Sequence, residues 1–335
     1  MPTLREVYNQ PYMAELVKPD PITKSPYWLS GAVKSDGRIS TLMGIGQQEI
    51  VIPYLGEINY NSEPFYSNTI YTDKAVPEGI GASKMKALLA YENKSWLEAR
   101  LERFLTGKSP LALISEYING YWLKQGEHRL VATLVGIRNH DQANGKKITI
   151  EKNAVFDVGA FIEAEGTMDV EMRGKGVIVV NPAVAVSMRL AKLLIPFQDP
   201  ATLTVVEVYN GRRVIESTEG TVAKTGATVK YISYLLNDGS FIGESVPGND
   251  DMEMERSGLR ANGGGTTVLI TRRNFLIHPT GYDFVADRST LTGGTTNEAI
   301  SASWADLQKK ESWALGTGIE VATQVPFRIL ITNAV

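Results

Sequence analysis

Three histidines, His128, His140 and His278, are the first places to look for chemistry, because imidazole exchanges a proton or holds a metal near neutral pH. No H-x-x-x-H pair occurs among them, so a helical zinc site is ruled out. His140-Asp141 supplies half of a base–orienter pair. No serine stands in a G-x-S-x-G turn to be its nucleophile, which leaves only a triad assembled from distant residues. The acidic run Asp250-Asp251-Met252-Glu253-Met254-Glu255 offers oxygen ligands for Ca²⁺ or Mg²⁺. It lacks the alternating Asp/Asn pattern and central glycine of an EF-hand, so a solvated loop is the plainer reading. Gly44-Ile45-Gly46 and Gly79-Ile80-Gly81 begin a G-x-G pattern without a third glycine. Gly263-Gly264-Gly265 opens into a β-rich run, whereas a phosphate cradle needs a helix N-terminus behind it. The residue types therefore indicate no catalytic, cofactor or metal site.

Composition narrows the field further. A chain of 335 residues fits about two core-forming units plus extensions. Hydrophobic content of 43% and charged content of 21% are those of a globular protein. Lys and Arg number 34 against 37 Asp and Glu, and a net charge of −3 is a poor footprint for gripping phosphate backbones. The absence of cysteine excludes disulfides and thiolate metal sites, so stability must come from packing and partner chains. The opening residues Met1 to Tyr8 lack a basic and then apolar secretory pattern, and no apolar run approaches 18 residues. A chain that stays in, or assembles in, the cytosol is expected, with no membrane partner.

The elements that would position these residues are uneven along the chain. Residues 1–40 carry Pro2, Pro11, Pro19, Pro21 and Pro26 and read as an extended arm. Its apolar groups, among them Tyr27 and Trp28, are expected to lie on their own domain or on a neighbouring subunit. Residues 41–80 contain β-formers at Glu49–Ile52, Tyr54-Leu55 and Thr69–Thr72, broken by Pro53 and Pro64, and read as a long hairpin. Ser83 to Leu105 reads as helical, with Trp96, Leu97, Leu101, Phe104 and Leu105 on one face. Ser109-Pro110 then opens the strongest helix, to about Arg138, with Leu111, Ile114, Ile118, Trp122, Leu130, Leu134 and Ile137 at helical spacing. Gly120, Gly126 and Gly136 weaken it by about 1 kcal/mol each relative to alanine. From about 151 to 262 helices alternate with strands, predicting an α+β unit with a mostly antiparallel sheet.

Five segments follow in a telling order: GRRVI from Gly211, LLNDGSFIGE from Leu235, DMEMER from Asp251, TTVLITRRNFLIHPTGYDF from Thr266 and SWADLQKKESW from Ser303. In order and spacing this set resembles tailed-phage major capsid proteins of the HK97-like fold, and within them the gp13-like family. The resemblance implies an α+β subunit with an N-terminal arm (1–40), an extended β-hairpin loop (41–80) and a peripheral domain (81–150) with a spine helix at about 110–138. An axial domain (151–262) would follow, and strands in 263–335 would return to complete the peripheral domain.

It also implies a container, with interfaces doing the work. The expected partners are further copies of the chain, as hexamers and pentamers of an icosahedral shell, with a scaffolding protein, a portal and a decoration protein. Packaged double-stranded DNA would be touched weakly and non-specifically. The virion capsid, assembled in the host cytoplasm, would be its location. Tyr27, Trp28, Ile50, Ile52, Tyr54, Arg212, Arg213, Arg272 and Arg273 are the expected assembly contacts. Strand alternation puts only one arginine of each pair on a given face, and intersubunit ion pairs are their expected role. Ile50→Asp or Ile52→Asp should then leave a soluble subunit that assembles poorly. The lysine–asparagine cross-link of some relatives finds no matching motif here. An encapsulin-like shell protein and a soluble α+β enzyme are the competing readings.

Overall fold

Runs of β-branched residues and one long helix divide the chain between two sheets. The computed structural model describes residues 27, 30–35, 37–44, 49–55, 63–74, 82–106, 110–145, 147–155, 158–198, 205–225, 228–294, 301–316 and 324–333. Its helices are α1 (Gly37–Gly44), α2 (Arg100–Thr106), α3 (Pro110–Ala143), α4 (Val158–Gly166), α5 (Pro182–Leu190) and α6 (Trp304–Gln308). The first strands are β1 (Val33–Lys34), β2 (Glu49–Leu55), β3 (Ala82–Leu88), β4 (Ala90–Ala99), β5 (Thr149–Val155), β6 (Val177–Val180), β7 (Ile195–Gln198) and β8 (Val205–Tyr209). They continue with β9 (Arg212–Glu216), β10 (Val222–Thr225), β11 (Thr228–Leu236), β12 (Phe241–Ser257), β13 (Thr266–Pro279), β14 (Tyr282–Phe284), β15 (Trp313–Leu315) and β16 (Phe327–Asn333).

A four-stranded sheet runs β1-β12-β13-β4, and an eight-stranded sheet runs β5-β16-β11-β6-β9-β8-β7 with β10 paired to β11. Strict alternation gives the larger sheet two buried faces. Val177, Val179, Ile232, Tyr234, Leu236, Ile329 and Ile331 share a core with Leu130, Leu134 and Ile137 of α3. Ile178, Val180, Leu235 and Leu330 point the other way, onto Phe161 and Ala164 of α4 and Val184 and Met188 of α5. Asn181 caps α5 by accepting the Ala183 N–H at 3.0 Å, with Pro182 in its first turn.

Helix α3 has 34 residues and is about 50 Å long at 1.5 Å per residue. Its first half packs Leu111, Ile118 and Trp122 on Ala90, Leu269 and Phe275 of the smaller sheet. The helix ends where the Asp141 carboxylate accepts the backbone N–H groups of Lys147, Ile148 and Thr149 and turns the chain into β5. On the opposite face of the small sheet, Ile39 and Met43 of α1 pack with Ile50, Ala87, Leu89 and Leu276.

Several expectations need correction. Ser83 to Leu105 is not helical throughout but forms β3, β4 and only then the short α2. Alternation in β3 buries Met85 and Ala87 and exposes Lys84 and Lys86, while β4 pairs with β13 along Ala90–Ala99. The adjacent Trp96 and Leu97 thus face opposite ways. Thr69–Thr72 is a turn, and β2 pairs instead with β3. The acidic run lies mostly in strand β12, not in a loop. In the strand pairing, β12 joins β13 in the small sheet, and β16 lies inside the large one.

Candidate assembly surfaces

Of the residues expected at subunit contacts, three turn inward. Tyr27 is fully buried, donates its hydroxyl to the Glu219 carbonyl at 2.7 Å and meets Tyr234 edge-on. Ile50 is 1% exposed in the α1–β2–β3 core. Arg212 is 0% exposed, with Nε 2.9 Å from Glu165, one Nη 2.8 Å from Asn237 and the other 3.2 Å from the Met172 carbonyl. The physical reason is the same in each case. Each of these groups finds partners inside the chain. Ile50→Asp would place a carboxylate in that α1–β2–β3 core.

Others stay at or near the surface. Ile52 is half-buried, Arg213 is exposed, and Arg272 pairs with Glu253 at 2.7 Å. Arg273 lines a groove between α3 and β13. Tyr54 pairs with Ser83 in the β2–β3 ribbon, and Trp28 lies outside the described residues.

Two exposed apolar surfaces were not picked out by residue type. Between β2 and β3 the segment 63–74 is exposed along its length, including Phe65, Tyr66, Ile70 and Tyr71. It is ordered by local bonds: Asn68 donates to Asp73 at 2.7 Å, the Ile70 N–H donates to Asn68, and the Asp73 N–H donates to the Ile70 carbonyl. The second surface lies at the free edge of the large sheet, where Ile195 and Phe197 of β7 and Leu190 of α5 are exposed. Apolar groups gathered this way mark surfaces that meet another molecule. Their signal in the sequence was a hydrophobic residue beside a proline or turn, which strand patterning treats as noise.

The titratable groups serve the fold. His140 Nδ1 lies 3.1 Å from the Lys310 carbonyl, and Asp141 is occupied by the turn, so among the described residues the pair orients no nucleophile. His128 Nδ1 meets Glu219 at 3.2 Å. His278 is buried against Trp313, and burial pushes its imidazole down to about 4. Burial alone would raise the Asp306 carboxyl, but hydrogen bonds from Lys309, Thr292 and Ser303 outweigh it and hold it well below the usual range. Asp306 thereby closes the capping box of α6.

This architecture, a long helix bridging a small sheet and a large mixed sheet with a protruding β2–β3 ribbon, is the HK97-like fold of phage capsid proteins. The head structure of Helicobacter pylori bacteriophage KHP40 superposes over 95% of this chain and 93% of its own, with TM-score 0.58 and 10% identity. The acidic stable capsid of Helicobacter pylori bacteriophage KHP30 matches over 99% and 94% with TM-score 0.56, also at 10% identity. The capsid of cyanophage Pam1 matches over 90% and 88% with TM-score 0.50 and 10% identity. In sequence the chain is a relative of the major capsid protein of Bacillus phage SPP1, 25% identical over 291 residues, 84% of this chain and 86% of that protein. No family model matches the chain, so the narrower gp13-like placement rests on the resemblance alone.

Proposed function

We propose that this chain is a phage major capsid protein whose function is to assemble with copies of itself into a closed shell around double-stranded DNA. The observation that carries the reading is the correspondence with a phage major capsid protein over 84% of this chain, in sequence and not in fold alone. The role is structural, and its chemistry is interface burial summed over many symmetric contacts. On this reading α3 is the spine helix and, with the four-stranded sheet, forms the peripheral domain. The eight-stranded sheet with α4 and α5 is the axial domain, meeting its copies around a five- or six-fold axis. The β2–β3 ribbon is the extended loop, which reaches over an adjacent subunit.

Hexamers and pentamers build the shell, and a scaffolding protein, a portal and a decoration protein are its further partners. Assembly takes place in the host cytoplasm, and the finished location is the virion capsid. Sedimentation and negative-stain microscopy of the purified chain, expressed with and without a scaffold from its own locus, test this directly. Uniform closed particles are expected. A monodisperse monomer or dimer in both preparations would overturn the reading.

A further inference from the structure

Arg273, half-buried, stands apart from the buried arginines. Arg129, Arg212 and Arg328 each reach carboxylate, carbonyl or hydroxyl acceptors. The Nε of Arg273 is buried without a hydrogen-bond partner, and Arg273 makes no ion pair among the described residues. The acid directly across the sheet is Glu92 of β4, but its carboxylate is held by Arg129 at 2.9 Å. A partly desolvated guanidinium with no acceptor is costly, and one that receives a carboxylate in its fork gains charge-assisted bonds.

There is room for such a guest. A cavity of about 140 Å³ opens beside Arg273, lined by Asn119, Trp122, Gly126, Ser245 and Phe275. Asn119 and Ser245 add donors, the two aromatic rings suit an alkyl stem, and Gly126 leaves the helix wall without a side chain. The volume falls below the roughly 300 Å³ at which small-molecule pockets begin, which favours one acidic side chain over a cofactor.

We propose that this cavity receives a carboxylate from the 63–74 segment of a second copy of the chain. The inference rests on the capsid reading, which supplies the second copy. That segment presents Glu63 and Asp73 at exposed positions, each holding one local neutral hydrogen bond, from Tyr66 and Asn68, and no ion pair among the described residues, with Phe65, Tyr66, Ile70 and Tyr71 exposed between them. It matches the cavity in both respects, acid to guanidinium and apolar side chains to aromatic rim.

The test compares unassembled subunits with particles for wild type, Arg273→Met, Arg273→Glu, and Arg273→Glu combined with Glu63→Arg or Asp73→Arg. Arg273→Met should leave the thermal midpoint of the subunit unchanged or higher, because no partner inside the chain is lost. Its particles should form in at least about tenfold lower yield, from loss of one desolvated charge pair. Arg273→Glu should be worse, and one of the two reversals should restore assembly. Wild-type-like particles from both Arg273 variants, a subunit midpoint that falls in step with assembly, or failure of both reversals would overturn the site while leaving the capsid reading intact. A wild-type chain that never associates would overturn the capsid reading first, and the proposed guest with it.

Discussion

Gly136 offers the sharpest test of how α3 is seated. By helix propensity alone, Gly136→Ala in mid-helix should stabilise the chain by about 1 kcal/mol. The structure reverses that sign. A Cβ at 136 would lie 1.9 Å from the Leu307 carbonyl oxygen and 2.5 Å from Trp313 Nε1. Those two groups are bonded to each other at 2.7 Å and are buried in the main core. The nearest obstacle is backbone, so no side chain can swing aside. Ordinary contact would require α3 and α6 to separate by about 1.5 Å. Overpacking of this kind costs about 3 kcal/mol at the upper end of its usual range, and loosening the Trp313 bond adds about 1 kcal/mol. After the propensity gain the net loss is about 3 kcal/mol. Urea unfolding of the unassembled subunit, followed by near-ultraviolet circular dichroism, should show a lower midpoint at unchanged slope. Gly166→Ala, in α4 with nothing within 4 Å of the added methyl, should be neutral or slightly stabilising. A Gly136→Ala subunit as stable as wild type would refute the close α3–α6 approach.

Other expectations follow from the buried polar groups and the ribbon. Arg212→Met should cost about 3–5 kcal/mol, because it leaves the buried Glu165 carboxylate without its counter-charge, with only the Gly174 N–H and the Asn210 amide as donors. Adding Glu165→Met should recover part of that loss in the same urea assay, and a double variant worse than the single one would contradict the pairing. His278 has a folded value of about 4 against an ordinary 6.5, so the unfolded chain binds the extra proton in between. Stability should therefore fall by about 3 kcal/mol as pH drops from 6.5 to 4, and His278→Phe should flatten that part of a stability-versus-pH curve. Asp306, held low, adds a loss as pH falls below the usual carboxylate range, since its folded-state bonds need the charged form. Ile50→Asp should unfold the isolated subunit by thermal scan, while Val51→Asp, at an exposed position, should keep its midpoint.

What the sequence could and could not reveal follows from the range of the forces involved. Helix α3 was legible because Pro110 marks its start and its apolar spacing persists over many turns. Val177–Val180 was legible because a β-branched run favours strand, and Tyr231–Leu236 because its aromatic and aliphatic residues suit a buried strand. The segment 83–105 was misread because Trp96-Leu97 and Leu101 mimic a helical stripe, and only pairing with β13 decides for strand. Strand alternation correctly separated Arg212 from Arg213. It could not say which faced a core, because Glu165 and Asn237 are 47 and 25 positions away in the chain. That Arg273 has no ion pair among the described residues was equally invisible, since Glu92, across the sheet from it, is claimed by Arg129.

Helix α3 contributes to two cores, and that arrangement places a demand on the stretch between them. Trp122 belongs to the small-sheet core and Leu130 to the large-sheet core, so the crossover falls between these two residues. Apolar packing cannot lock the angle there, because the helix is handing its buried face from one layer to the other. The residues that occupy it are Leu123, Lys124, Gln125, Gly126, Glu127, His128 and Arg129, a largely polar run in the middle of the helix. They reach in both directions. Arg129 holds Glu92 of β4 and the Ala302 carbonyl, while Lys124 and His128 hold Glu219 between β9 and β10. Glu219 in turn accepts, through its carbonyl, the hydroxyl of Tyr27. Directional bonds thus fix the joint where non-directional packing runs out. The weak amphipathic signal in the middle of α3 is then a consequence of its bridging position, and not evidence against the helix.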